Sequence, residues 1–222
     1  MLKNKKILGI ILARAGSKRL KNKNILNFLH KPLIYWTLKT ATKSAYIDNI
    51  VVSTDSVKVK KISKVFKNMI IHKRKKKLSQ SSSKSEDVII DILKTYKFDH
   101  DYFILLQPTS PLRTVNDIDS SLKRVISTSV NNCISVQPLA KNTNKIYKIN
   151  NDKLKKISKN SYKTFIINGA IYISKISTFL KNNRFFDSQT IPYIMKPISS
   201  IDIDTIQDFR IAEFIMKKNL SK

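Results

Sequence analysis

Three stretches of this chain gather residue types that could handle phosphate, a polar substrate or a metal ion. The first is Ala13-Arg14-Ala15-Gly16-Ser17-Lys18-Arg19, continuing to Lys23-Asn24. It follows the apolar run Ile7 to Ala13, and open α/β sheets place their ligands where strands end. Gly16 permits an unusual turn, and neighbouring backbone N–H groups can cradle phosphate. Arg14 and Lys23 carry the charge to neutralise it. The stretch is neither a Walker loop nor a GxGxxG fingerprint, so an ordinary basic strand-to-helix turn describes it equally well.

The second stretch is Leu105-Leu106-Gln107-Pro108-Thr109-Ser110-Pro111-Leu112-Arg113. Two prolines fix the backbone and remove N–H donors just past a strand. Such a turn can aim Gln107 at a ligand, or it can be a structural loop. The third is Ser200-Ile201-Asp202-Ile203-Asp204-Thr205. In a strand, residues two apart share a face, so Asp202 and Asp204 can converge on one hard cation, which takes oxygen ligands. The chain has 15 acids against 43 bases, which makes two alternating acids conspicuous. Asp204 or Thr205 can also N-cap a following helix, and the two roles are compatible.

Other reactive residues point elsewhere. Cys133 is the one cysteine. It excludes an internal disulfide framework and suits a reducing cytoplasm, and its apolar surroundings suit a core position. His30, His72 and His100 share no metal-ligand spacing and read as surface or loop histidines. The net charge of +28 alone suggests a polyanion partner. The lysines are spread along the chain, however, and the densest cluster, Lys73 to Lys77, lacks interleaved aromatics. The charge attracts phosphates in general and names no ligand.

The elements that must position these residues alternate between strand and helix, which argues for an α/β domain. Ile7 to Ala13 reads as a buried strand. Lys3, Lys5 and Lys6 before it, with Ala13-Arg14-Ala15 as a small-residue cleavage site, could form a secretory signal, but the run is short and basic residues follow at once. Pro32 to Ala45 has helical spacing, Ile50 to Ser53 is a short strand ending in Thr54-Asp55, and Val57 to Phe66 is helical. Met69 to Ile71 is a weak strand, Ser79 to Ser85 a polar loop and Glu86 to Tyr96 a helix. Tyr102 to Leu106 is a buried strand, Asp117 to Ser127 a helix with acids in its first turn, and Asn132 to Val136 a strand. Lys141 to Ser161 breaks the pattern and reads as a hairpin-like arm. Ile166 to Ile173 returns to a core strand, Ser199 to Asp204 is a short strand or turn, and Thr205 to Lys217 is a closing helix. No apolar run is long enough to cross a bilayer. One domain over residues 1–222, with 141–161 as its arm, is the simplest account.

In combination and order, these pieces resemble the CMP-sialic acid synthetase (acylneuraminate cytidylyltransferase) family along nearly the whole chain. The matching segments are Ile11 to Lys18 with Lys23-Asn24, Lys31-Pro32-Leu33-Ile34 and Val52-Ser53-Thr54-Asp55-Ser56. Leu105 to Arg113, Asn168-Gly169-Ala170-Ile171-Tyr172-Ile173, and Ser200 to Thr205 with Asp208 complete the set. The resemblance implies a three-layer, Rossmann-like nucleotidyltransferase fold with a mixed central sheet. It also implies a homodimer in which the arm of each subunit reaches toward the other's site. It assigns Arg14, Ser17, Lys18, Lys23 and Asn24 to CTP, with Lys23 near the phosphates. Arg74 and Ser85 fall where the family contacts the nucleotide, and Gln107 where it contacts the sugar. Asn168 and Gly169 would shape the pocket, and Asp202 and Asp204 would bind Mg2+.

The chain also departs from the family pattern. Where the family often has an Arg-Gln pair before the Asn-Gly, this chain has Ser158 and Lys159. Where some members have an arginine just before the Asn-Gly, it has Ile166-Ile167. Lys141, Lys145 and Lys148 compete for one expected arm lysine, and Arg74-Lys75 replaces a common Arg-Pro. These changes spare the nucleotide half and alter the sugar half. The resemblance implies in-line attack by the anomeric hydroxyl of a nonulosonic acid on the α-phosphorus of CTP, releasing pyrophosphate in the cytoplasm. Arg14, Lys23, Asp202 and Asp204 would carry the catalysis. Other readings are a KDO cytidylyltransferase, a non-catalytic nucleotide binder and, more remotely, a nucleic-acid-binding protein. The Gln107-to-Arg113 and Ser200-to-Thr205 motifs favour the nine-carbon branch.

Overall fold

A computed structural model of the chain describes residues 2, 4–17, 19–139, 147–150, 153–156 and 164–220. The central sheet is built from β1 (Ile7–Leu12), β4 (Asn49–Thr54), β5 (Met69–Lys73), β6 (Tyr102–Leu106), β7 (Asn132–Pro138), β10 (Phe165–Lys175) and β11 (Ile191–Ile194), in the order β11-β7-β10-β6-β1-β4-β5. β1 pairs parallel with both β4 and β6, and β4 pairs parallel with β5. β10 runs antiparallel to β6 and β7, so the sheet is mixed. Because β1, β4 and β6 are parallel, Arg14, Asp55 and Gln107 all emerge beyond the carboxyl ends of these strands.

Period-two alternation divides the sheet's side chains between two cores. On one face Ile7, Ile11, Val52, Ile104 and Leu106 pack with α1 (Leu33–Thr42), α2 (Val57–Ser63) and α4 (Val115–Thr128). On the other, Leu8, Ile10, Val51, Phe103 and Leu105 pack with α3 (Ser85–Tyr96) and α5 (Ile176–Asn182). The result is three layers. Fully burying each such side chain stabilises the fold by about 1.5–3 kcal/mol.

A third apolar cluster positions the site. Phe28, Leu33, Trp36, Leu112, Ile203, Phe209 and Ala212 bring together the start of α1, the turn after β6 and α6 (Ile206–Leu220). Beside it lies a two-residue hairpin of β2 (Asn27–Phe28) and β3 (Lys31–Pro32), whose turn residues Leu29 and His30 both have positive φ. That geometry follows strand twist in tight hairpins. Trp36 Nε1 donates to the Phe28 carbonyl at 2.9 Å, and Leu29 N–H to Glu213 at 2.9 Å, which ties the hairpin to α1 and α6.

The sequence reading needs several corrections. α4 begins at Val115, before Asp117, because Thr114 and Asp117 form a reciprocal capping box. α5 and β11 had no assignment; β11 carries Pro192 and lies at the sheet edge, where a strand proline is tolerated. His72 is no surface histidine: it lies in β5, 3% exposed, with Nδ1 2.9 Å from Ser53 Oγ and its ring edge-on to Tyr96. Cys133 is buried, and burial pushes its thiol up to about 12. In the expected arm, β8 (Tyr147–Asn150) and β9 (Lys153–Lys156) form an antiparallel pair. Lys141, Lys145, Ser158 and Lys159 lie outside the described residues. Among those described, no helix is long and apolar enough to cross a membrane.

Candidate active site

The loop after β1 is held from below by the end of β4. Thr54 Oγ1 donates to the Ala13 carbonyl at 2.6 Å, and Ala15 N–H donates to Asp55 Oδ1 at 2.7 Å. Asn24 is buried, and its amide donates to the Arg14 carbonyl at 3.1 Å. The loop is therefore anchored at Ala13, Arg14 and Ala15 by side chains adjacent to it. Gly16 does not supply the expected unusual turn: its φ lies outside the left-handed region, and the Arg14 guanidinium donates to its carbonyl. The left-handed residue here is Asn22, which precedes the short 3-10 turn Lys23–Ile25.

Arg14, Ser17, Arg19, Lys23 and Asn24 line a cavity of about 310 Å³ together with Gln107, Thr109 and Asp204. Lys18 lies outside the described residues. Lys23 Nζ sits 2.9 Å from Asp204 Oδ1, and Arg19 pairs with the other Asp204 oxygen. Three cations and one carboxylate thus share one wall. Arg74 and Ser85 lie off this cavity. Arg74 lines a neighbouring hollow with Thr54, Asp55 and Lys60. Ser85 opens α3, and the residue of that stretch lining the first cavity is Ser81.

A second cavity of about 530 Å³ lies beyond Gln107, lined by Ile166, Ile167, Asn168, Gly169, Tyr172 and Asp202, with Gln137 and Asp208 also on its walls. Gln107 lines both cavities. Among the described residues, the second cavity has no lysine or arginine on its walls. Its floor is clamped by Asn168, whose Oδ1 accepts from Ser135 Oγ at 2.6 Å and whose amide donates to Ser200 Oγ at 2.8 Å. Gly169 has φ +76°, and a Cβ there would sit 3.6 Å from Asp202 Oδ2.

Residues 201–204 are not a strand. A 3-10 turn, Pro197–Ser200, leads into an irregular extended segment. Ile203 is fully buried in the third cluster and donates its N–H to the Thr109 carbonyl at 2.8 Å. The alternation survives without a ladder because that one buried side chain turns its two neighbours outward. Asp204 faces the first cavity and Asp202 the second. Burial raises the Asp202 carboxyl above its usual range. Its bond from Thr109 and the charge of Lys23 oppose the shift, and Asp204 and Asp208 add to it. Asp202 Oδ1 is buried with no hydrogen-bond partner. Thr205, not Asp204, caps α6: its Oγ1 accepts from Asp208 N–H, and Asp208 Oδ2 accepts from the N–H groups of Thr205 and Asp204.

Arg113 was quoted in the sequence motif without a role. It is 1% exposed, and its guanidinium donates to the carbonyls of Gln107 (3.2 Å) and Ala170 (2.9 Å) and to Thr37 Oγ1 (3.0 Å). It therefore fixes the backbone of Gln107 against β10. The only signal in the sequence was an arginine closing a double-proline loop between apolar segments.

A family model described as cytidylyltransferase matches residues 8–221. The N-acylneuraminate cytidylyltransferase of Escherichia coli O18:K1:H7 is 32% identical over 98% of this chain and 54% of its own length. The chain thus spans about half of that relative. The CMP-N,N'-diacetyllegionaminic acid synthase of Legionella pneumophila is 33% identical, over 96% of this chain and 97% of its own. A solved structure of a CMP:2-keto-3-deoxy-manno-octonic acid synthetase complexed with CTP superposes with a TM-score of 0.73. It is 16% identical and covers 96% of this chain and 99% of its own, a likeness of fold.

Proposed function

This chain belongs to the cytidylyltransferase family, and from that premise we propose that it transfers CMP from CTP to the anomeric hydroxyl of a nonulosonic acid. The observation that carries the reading is the pair of cavities that meet at Gln107, one walled by cations and the other by Asn168, Gly169 and Asp202. CTP takes the first cavity and the acid sugar the second. The hydroxyl oxygen forms a bond to the α-phosphorus, the bond from that phosphorus to the oxygen bridging the β-phosphate breaks, pyrophosphate leaves, and the hydroxyl proton passes to solvent. Arg14 and Lys23 supply fixed positive charge where the transition state gains negative charge. Asn24 and Asp55 act by holding the Arg14–Ala15 backbone in place.

Asp202 and Asp204 are the residues that would hold magnesium. Magnesium usually takes one or two protein carboxylates and completes its shell with phosphates and water. The fit rests on the buried, unpartnered Oδ1 of Asp202 next to a second carboxylate. When bound, the ion adds positive charge to the phosphates during displacement.

The working unit in this reading is a cytoplasmic homodimer of single-domain chains. The arm of one copy reaches the other's sugar cavity. Its support is that an acidic acceptor meets no lysine or arginine on the described walls of that cavity. The test is pyrophosphate release by the purified protein with CTP and magnesium across a panel of nonulosonic acids plus KDO. Release with one nonulosonic acid is the expected result. Release with KDO alone would move the protein to the eight-carbon reaction, and CTP binding without release from any acceptor would overturn transfer.

A further inference from the structure

Behind the hollow that Arg74 lines is a buried polar chain that the transfer reaction does not use directly. Ser53 of β4 and His72 of β5 are register partners on adjacent strands. Ser53 is fully buried and His72 is 3% exposed. Ser53 Oγ stands 2.9 Å from His72 Nδ1, and His72 Nε2 stands 3.3 Å from Asp91 Oδ2 on α3. On its other side Ser53 receives Arg74: Nε donates to Oγ at 3.1 Å and Nη2 to the Ser53 carbonyl at 3.1 Å.

The partners of the Ser53 hydroxyl favour one arrangement of protons in this chain. Arg74 only donates, so it occupies an acceptor site of the Ser53 hydroxyl. The remaining partner of the Ser53 hydroxyl is His72 Nδ1, and donation to it suits the ring tautomer that leaves Nδ1 unprotonated. That tautomer carries its proton on Nε2, which faces Asp91 Oδ2 across 3.3 Å as a charge contact, the oxygen having no hydrogen-bond partner. Burial favours this neutral ring, Asp91 opposes it, and the charges of Arg74 and Lys75 reinforce it. Lys75 pairs with the outer oxygen of Asp91.

A serine, histidine and aspartate in series would suggest nucleophilic catalysis. Here Ser53 is sealed from solvent, and its hydroxyl is engaged on both sides, so no substrate atom can reach it. What remains is orientation. Arg74 is the end of the chain, and burial lowers its guanidinium to about 10. Asp55 is its main countercharge and Arg14 its nearest like charge. Asp55 is also the carboxylate that holds the Ala15 N–H.

We propose that Asp91, His72 and Ser53 are positioning residues that fix the Arg74 guanidinium beside the phosphate loop for nucleotide binding. The proposal rests on the reading above, in which the first cavity takes CTP, and adds that Arg74 reaches the nucleotide from the neighbouring hollow it lines. The chain sets one edge of the guanidinium against Ser53, and the orientation of that edge depends on an acceptor at the Nδ1 position of His72.

The experiment is direct CTP binding by titration calorimetry, without sugar, for the parent and for His72→Leu, His72→Asn, Asp91→Asn and Arg74→Ala. Loss of an oriented charged hydrogen bond corresponds to about a tenfold weaker Kd. That loss is expected in His72→Leu, with most of the affinity restored in His72→Asn, whose amide oxygen can accept from Ser53. In the Arg74→Ala background, His72→Leu should cause no further loss. Asp91→Asn lies at the outer end and covers the case in which His72→Leu does not fold; it should weaken CTP about threefold at an unchanged melting temperature. An equal loss from His72→Leu with and without Arg74, or unchanged affinity in Asp91→Asn and both His72 variants, overturns the relay. Unchanged affinity in Arg74→Ala overturns it at its end while leaving CMP transfer standing. Failure of the parent itself to bind CTP would instead overturn the reading of the cavity.

Discussion

Lys23 and Asp204 are bound to each other: Nζ lies 2.9 Å from Oδ1, and the same ammonium donates to the Ile203 carbonyl at 2.6 Å. The cation assigned to phosphate and one carboxylate proposed for the metal therefore hold each other. The lysine side chain is 12% exposed and the aspartate 40%. An ion pair this open contributes at most about 1 kcal/mol to stability, so its main consequence is for catalysis. Lys23→Met should cut turnover about a hundredfold, with the melting temperature within a few degrees of the parent. Pyrophosphate release and a thermal melt on the same preparation check both halves.

Asp202→Asn keeps the shape of the buried carboxylate and removes its charge. Turnover should fall on the order of a hundredfold or more. CTP should still bind, because Arg14 and Lys23 are untouched. Near-normal turnover in this variant would remove Asp202 from the metal assignment.

Arg113→Met tests the support under Gln107. The variant strands the carbonyls of Gln107 and Ala170 in a site from which water is excluded. Leaving a buried acceptor without its donor costs roughly 1–3 kcal/mol, read as a lower midpoint of urea unfolding. Arg113→Lys should recover only part of the loss, because one ammonium cannot reproduce a guanidinium fork that serves three acceptors. Full recovery by lysine would show that charge alone, and not the fork, supports the turn.

Stability should fall as pH drops through about 6.5. Burial is the largest influence on His72 and on His100, and it lowers both below the ordinary value of 6.5. Asp91 opposes the shift at His72 and Asp48 at His100. Below pH 6.5 the unfolded chain takes up protons that the folded chain refuses, so folding is fully supported above that pH and loses support below it. Each such proton changes stability by at most about 1.4 kcal/mol per pH unit. The lowered carboxyls of Asp99, Asp101 and Asp208 act only in more acid solution, below their ordinary 3.8. Urea midpoints at pH 7.5 and 5 should differ in the parent and converge in the His72→Asn, His100→Gln double variant.

Much of the framework is legible in the residues. The runs Ile7–Leu12 and Tyr102–Leu106 declare buried strands by composition, and the 3.6-residue spacing in α1 and α3 declares helices, because burial of one face leaves a local periodic trace. The basic loop, Gln107 and the alternating Asp202 and Asp204 could be named as candidates for the same reason: each is a run of chemistry beside a strand end or turn. β11 and α5 escaped because Pro192 and a short, uncapped helix leave a weak local signal.

What the sequence by itself determined, then, is the alternation of elements, the faces they bury and the short motifs between them, all of which are local. Tertiary structure alone decided that β1 lies between β6 and β4, so that Arg14, Asp55 and Gln107 meet beyond the carboxyl ends of those strands. It decided that Ile203 is buried, which sends Asp202 and Asp204 into different cavities. It also decided that His72, which looked like a loop residue, is a buried neighbour of Ser53 and Arg74. The reason is physical: strand order and cross-strand contacts depend on which distant surfaces exclude water together, and the pattern along one segment carries no mark of its partner.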